Sequence, residues 1–248
     1  MEEHELIRRA EDLAAQCERK NRLTATAFLT PAERRLLEQR FARAGQRRPV
    51  FFGGHPDCER TLAFFLPDYL DEEDLDAAEH LRAIRLTAHF GAPGHRDYMG
   101  ALLAMGVARD RLGDIWVEGD TATVFCLPGV EKHLLGIDRV GRVSVTAEAL
   151  PLDAVRAPER KVKEVSFSVM SPRLDAVAAG MFHLSRTEAA RRISLGMVMV
   201  NDLVSDKTDL QLHEGDVLSL RGSGKGRLVS FGGSSRKGRL FVNAELYL

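Results

Sequence analysis

Ser171-Pro172-Arg173-Leu174-Asp175-Ala176-Val177-Ala178-Ala179-Gly180-Met181, and then Ser185-Arg186-Thr187-Glu188-Ala189-Ala190-Arg191-Arg192-Ile193-Ser194-Leu195-Gly196-Met197-Val198-Met199-Val200-Asn201, decide the architecture of the last third of the chain. A serine followed by proline opens a helix well, because the hydroxyl caps free N–H groups and proline suits the first helical position. Leu174, Val177, Ala178 and Met181 recur at helical spacing and predict a buried stripe, with Arg173 turned to solvent. Ser185-Arg186-Thr187-Glu188 has capping-box form. It predicts a second short helix with Ala189 and Ile193 inward and Gly196 as its left-handed stop. Arg186, Arg191 and Arg192 then occupy its polar arc. A β-segment ending at Asn201 follows, and later Gly215-Asp216-Val217-Leu218-Ser219-Leu220-Arg221-Gly222.

Charge points the same way. After Asp216 no acidic residue occurs before Glu245, while Arg221, Lys225, Arg227, Arg236, Lys237 and Arg239 fall in that gap. Residues 158–248 carry 14 Lys and Arg against 10 Asp and Glu, a balance of +4, whereas residues 1–157 carry 21 against 26, a balance of −5. The whole-chain charge of −1 therefore conceals a basic C-terminal part. Guanidinium forks pair two phosphate oxygens, and helix N-termini add N–H donors and a favourable dipole. A basic, glycine-laced loop over Arg221 to Arg227 beside a helical pair suits a phosphate backbone, giving affinity and register but little sequence reading.

The 248 residues are 44% hydrophobic and 29% charged, which places the chain among soluble globular proteins. No run of about 18 apolar residues predicts a membrane span. The acidic start Met1-Glu2-Glu3-His4-Glu5 argues against a secretory signal. Cys17, Cys58 and Cys126 are odd in number and widely spaced, which suggests a reducing cytoplasm. The histidines show no ligand spacing, so no metal is expected.

Three parts are expected, 1–80, 81–157 and 158–248, in an α+β chain. The first opens with a helix over Glu3 to Arg19 and a second from the capping box Thr30-Pro31-Ala32-Glu33, then strands at Val50 and Thr61 to Leu66. Asp68 to Glu79 holds seven acids and reads as a solvated linker or helix face. In the second part, Ala83 to Phe90 is a strand and His95 to Met105 a helix with Tyr98, Leu102 and Met105 on one face. Asp114 to Glu118 and Thr121 to Leu127 form a hairpin through Gly119-Asp120. A helix from Val130 to Ile137 and a strand from Arg142 to Ala147 complete β-α-β-β-α-β, the ferredoxin-like order. The aromatic strand signature of RNA-recognition motifs is missing from Thr121 to Cys126. Trp116 reads as core rather than as a stacking platform. The arginine-rich helix at Arg34 and Arg35, and His95 with Arg96, are candidates for a second RNA contact.

Arg173-Leu174-Asp175, Ser185-Arg186, Ala189, Ile193, Gly196, Val198 to Asn201 and Gly215-Asp216 resemble the S4 RNA-binding domain, of αL type, across about Ser171 to Arg221. The run Gly94 to Leu103 with Gly106, Arg109-Asp110 and Gly113-Asp114-Ile115 resembles the central motif of the YlmH family. Ala27-Phe28-Leu29-Thr30-Pro31, Phe52-Gly53-Gly54 and Arg221 to Arg227 fit the same family. The resemblance implies a non-enzymatic, monomeric bacterial protein of the cytoplasm that binds rRNA and tRNA on the large ribosomal subunit during rescue of stalled translation. It also implies a weaker photosystem-assembly label in photosynthetic bacteria. RNA-binding residues are expected at Arg173, Ser185, Arg186, Arg191, Arg192, Asn201, Arg221, Lys225 and Arg227.

Enzyme readings are poorly supported. Arg173-Leu174-Asp175 echoes pseudouridine synthases but lacks the Thr-Ser-Gly that follows there. His95-Arg96-Asp97 echoes a kinase catalytic loop without its companion motifs. Gly222-Ser223-Gly224-Lys225-Gly226 follows no Rossmann unit, so no cofactor is expected. An RNA-modifying enzyme with an unfamiliar active site in the first 150 residues, or an assembly factor working through protein contacts, are the competing classes.

Overall fold

The computed structural model describes residues 3–159, 161–234 and 238–247. Arg236 and Lys237 of the basic run, and Met1 and Glu2 of the acidic start, lie outside the described residues. The chain divides into two compact units, Met1–Pro158 and Glu159–Leu248.

The first unit begins with α1 (Glu3–Lys20), β1 (Thr24–Ala25), α2 (Pro31–Arg43), β2 (Val50–Phe52) and β3 (Leu62–Phe65). Thr30 caps α2 reciprocally: its hydroxyl accepts from Glu33 N at 3.3 Å, and the Glu33 carboxylate accepts from Thr30 N at 2.7 Å. The strands form an antiparallel sheet in the order β1-β3-β2. Leu6, Ala10, Leu37 and Phe41 of the helices pack with Ala63 and Phe65. The acid-rich segment is a connection with its acids exposed, and in place of a helix face it holds two single 3-10 turns, Glu72–Asp74 and Ala77–Glu79.

Next come β4 (Arg82–Ala88), α3 (His95–Ala104), β5 (Leu112–Glu118), β6 (Thr121–Cys126), α4 (Pro128–Leu135), β7 (Arg139–Val140) and β8 (Val143–Leu150). The sheet is antiparallel in the order β5-β6-β4-β8-β7. Strand side chains alternate between faces. Ile84, Leu86 and Val124 therefore meet Tyr98, Leu102 and Leu134 of the helices. Ala83 and Phe125 face the other way, into one core with Phe28, Leu62 and Phe64. The segments on either side of residue 80 thus share buried surface. Met105 departs from the expected inner stripe of α3, with 39% of its surface exposed, because the helix ends at Ala104. The final strand runs to Leu150, beyond the expected Ala147.

The second unit contains β9 (Val162–Val169), α5 (Leu174–Met181), α6 (Arg186–Ser194), β10 (Val198–Val200), β11 (Leu203–Val204), β12 (Val217–Leu220), β13 (Gly224–Ser234) and β14 (Leu240–Tyr247). Its six strands run antiparallel in the order β11-β10-β12-β13-β14-β9. Leu174, Val177, Ala178, Met181, Ala189 and Ile193 pack with Val198, Leu218, Leu228 and Val242. Gly180 permits the close approach of α5 to β9, since a Cβ there would fall 2.2 Å from the Phe167 ring. Two local expectations change. Helix α5 starts at Leu174 rather than Pro172, because Leu212 N bonds to Pro172 O at 2.9 Å and Arg173 bridges to Gln211, which keeps 172–173 extended. The basic stretch is mostly strand: Gly222 at φ 83° and Gly224 at φ 118° make the turn, and β13 begins there.

Candidate nucleic-acid interface

Arg173 stands in the N-cap position of α5, without capping it, and Arg186 opens α6, and a single carboxylate joins them. Asp175 accepts from Arg173 Nε at 3.2 Å, Arg173 Nη2 at 3.3 Å and Arg186 Nη2 at 2.7 Å. It also accepts from Ala176 N at 2.8 Å. The Asp175 side chain is 10% exposed, whereas Arg186 is 60% exposed and Arg173 37%. Burial pushes the Asp175 carboxyl up, but the hydrogen bonds and charges of Arg186 and Arg173 outweigh it and hold it below the ordinary carboxylate range. At neutral pH this is two cations on one anion. The excess positive charge faces solvent through guanidinium donors that Asp175 does not use, an arrangement suited to a phosphate oxygen. The start of α5 is fixed from outside, by Leu174 N to Leu210 O at 2.9 Å and Asp175 N to Thr208 O at 3.0 Å.

A second cluster lies along α6. Ser185 accepts from Glu188 N at 3.1 Å, so it caps the helix. The capping box is not completed, because the Glu188 carboxylate turns to Arg191 at 2.9 Å and Arg192 at 2.7 Å. Hydrogen bonds from Arg191 and Arg192 hold Glu188 down to about 2. Arg192 also donates from Nη1 to Ser223 Oγ at 3.0 Å, which ties α6 to the turn before β13. Arg221 in that turn is exposed, and no carboxylate lies within ion-pair distance of it among the described residues. Structure therefore brings Arg191, Arg192 and the Arg221–Ser223 turn to one edge.

The remaining candidates are occupied differently. Asn201, at φ 52°, donates from Nδ2 to Asp216 at 2.6 Å and accepts from Val217 N at 2.9 Å, so it locks the connection between β10 and β12. Lys225 lies 3.3 Å from Asp202, and Arg227 lies 3.5 Å from Glu245 across β13 and β14. In the first unit, Arg34 pairs with Glu38 at 2.8 Å and lies over the Phe51 ring at 5.1 Å. Arg35 is half-buried, and no carboxylate lies within ion-pair distance of it among the described residues. His95 and Arg96 are exposed at the start of α3. Partial desolvation of the ring and the Arg109 charge together lower the His95 pKa from its ordinary value. Trp116 is half-buried, edge-on to His55 at 5.1 Å and to Phe125 at 5.0 Å. Sequence reasoning missed the organising carboxylates, Asp175 and Glu188. The available signal was an acid placed two or three residues from each arginine in a first helical turn.

Among the described residues, no group of three His, Cys, Asp or Glu could hold a metal ion, and no helix is long and apolar enough to cross a membrane. Residues 72–154 match the family described as "Putative RNA-binding domain in YlmH". The chain is 31% identical over 228 residues to "Ribosome-associated protein quality control protein P2" of Bacillus subtilis, covering 90% of this chain and 87% of that protein. It is similar in fold to "Cell division protein ylmH from Streptococcus pneumoniae", with a TM-score of 0.51 and 17% identity over 62% of this chain and 93% of that one.

Proposed function

From the premise that the chain belongs to the YlmH family, we propose that it binds structured RNA on the ribosome, without catalysis, in the quality control of interrupted translation. The observation that carries this reading is the Arg173–Asp175–Arg186 arrangement, which presents preordered guanidinium groups at the starts of two adjacent helices. The reading treats the second unit as an S4 domain with its phosphate grip on Arg173, Arg186, Arg191, Arg192 and Arg221. It treats residues 81–157 as a ferredoxin-like domain and residues 1–80 as a further part, with Arg35, His95 and Arg96 as a second contact. The name of the Bacillus relative and the RNA-binding description of the matched family support the ribosomal setting. The large subunit and its tRNA are the partners proposed.

Co-sedimentation with purified large ribosomal subunits tests the proposal. The wild-type protein is expected in the subunit fraction, and Arg173→Ala with Arg186→Ala is expected to leave it while keeping its circular dichroism. Equal sedimentation of a folded double variant overturns the assignment of the grip.

A further inference from the structure

Three segments of the first unit meet at Arg60: Gly53 leaves room for its carbonyl, since a Cβ there would fall 2.2 Å from Arg60 O, Asp114 accepts from its backbone N–H, and Phe28 O accepts from its guanidinium. Phe28 N donates to Asp110 O at 2.9 Å. Gly113 makes room for the Phe28 ring, since a Cβ there would fall 2.6 Å from it. Asp114 accepts from Glu59 N at 2.7 Å and Arg60 N at 3.0 Å. Together these contacts seat Arg60, which is only 9% exposed.

The Arg60 guanidinium is held by carbonyls rather than by an acid. Nε donates to Leu112 O at 3.0 Å, and Nη2 to Phe28 O and Arg109 O, both at 3.3 Å. Nη1 has two N–H groups and no hydrogen-bond partner among the described residues. Arg109 is likewise held by Leu112 O at 3.0 Å and Gly113 O at 3.4 Å. Neither arginine has a carboxylate within ion-pair distance among the described residues. Burial pushes both guanidinium groups below their usual range, and in Arg60 the neighbouring Arg109 charge adds to it. The charges of Glu33, Asp114 and Asp110 oppose part of this cost, and an arriving anion held by the unused guanidinium donors relieves more of it.

Both side chains open on a cavity of about 390 Å³, within the range of small-molecule sites. Leu6 and Phe28 give it apolar walls, and Arg9 of α1 adds a third cation. Glu33 and Asp110 also line it. Glu33 Oε2 takes both Thr30 donors, which leaves Oε1 for a donor on a ligand. We propose that this cavity binds a nucleotide: phosphate on Arg60 Nη1, Arg109 and Arg9, ribose hydroxyls on the acids, and base against the apolar walls. A phosphate alone would leave the acids facing an anion, whereas a nucleotide satisfies both kinds of group. All the lining residues belong to the first unit, and the proposal does not rest on the function proposed for the second.

Calorimetric titration of the full-length protein tests it, using AMP, GMP, CMP and UMP singly and a 5′-phosphorylated tetraribonucleotide. Arg60 is too deeply bonded to be a clean variant. Arg9→Glu, on the exposed face of α1, and Ala27→Trp, which fills the cavity, are used instead. Saturable one-to-one binding is expected, weakened by about tenfold or more in Arg9→Glu and lost in Ala27→Trp, with thermal stability retained. Binding of free nucleotides identifies a diffusible ligand; binding of the tetranucleotide alone identifies a nucleotide presented by RNA. Arg173→Ala with Arg186→Ala leaves either result unchanged. Absence of binding to every probe, or binding indifferent to both variants, overturns the proposal.

Discussion

Asp175 is the residue on which the arginine pair depends. Arg173 and Arg186 come from different helices, and the carboxylate between them sets both rotamers. Asp175→Asn keeps a side-chain oxygen for Ala176 N but removes the charge that both guanidinium groups face. It is expected to cost about 1–2 kcal/mol in urea unfolding, at the lower end because Arg186 is largely exposed. The pH dependence has a definite sign. A carboxyl held below its ordinary pKa stabilises the fold at neutral pH, and the contribution is lost as pH falls below about 4. Asp175→Asn should therefore flatten stability against pH in that window alone; an unchanged curve contradicts the role. The arginines were legible in the sequence because basic residues at helix starts form a pattern. The carboxylate was not, because Asp175 reads equally as a favourable charge near a helix N-terminus.

At the scale of elements, α6 presents Arg186 only if its first turn is fixed. Ser185→Ala removes the hydroxyl that accepts from Glu188 N and is expected to cost about 1 kcal/mol, read as a lower midpoint in urea. Its RNA affinity should fall as well, since the cap sets the helix start. The sequence legibly predicted α5, α6 and their inward stripes, because apolar spacing reports burial directly. It missed the extended backbone at Pro172 and Arg173, which is set by pairing with Gln211 and Leu212, nearly forty residues away. It also read the start of β13 as loop, because glycine and charge in a strand look like a turn until the partner strand is known. Gly113→Ala tests packing in the first unit, where its methyl meets Phe28 and Phe125. It is expected to destabilise by about 1–3 kcal/mol in the same assay. A neutral effect contradicts the close approach.

Across the whole molecule, charge is divided as the chain is divided: the acidic balance belongs to residues 1–157 and the basic one to 158–248, close to the boundary between the two compact units. That division of charge was legible from composition. The shared core of Phe28, Phe64, Ala83 and Phe125 was not, because no local pattern links residues so far apart. The first unit also has its own acid sensitivity. Burial lowers the pKa of His80, and partial desolvation with the Arg109 charge lowers that of His95, so the fold favours their neutral rings. That stability is present above about pH 6.5 and declines as pH falls from there towards the lowered values. Unfolding midpoints at pH 7.5 and 5.5 should differ, and His80→Gln should narrow the gap. The phosphate grip proposed for the arginines of the second unit is read directly in RNA affinity as a function of salt. For the wild-type protein, log affinity should fall linearly with log salt, and Arg186→Ala with Arg221→Ala should make that slope shallower by about 2. A folded double variant with the wild-type slope and affinity would contradict the claim.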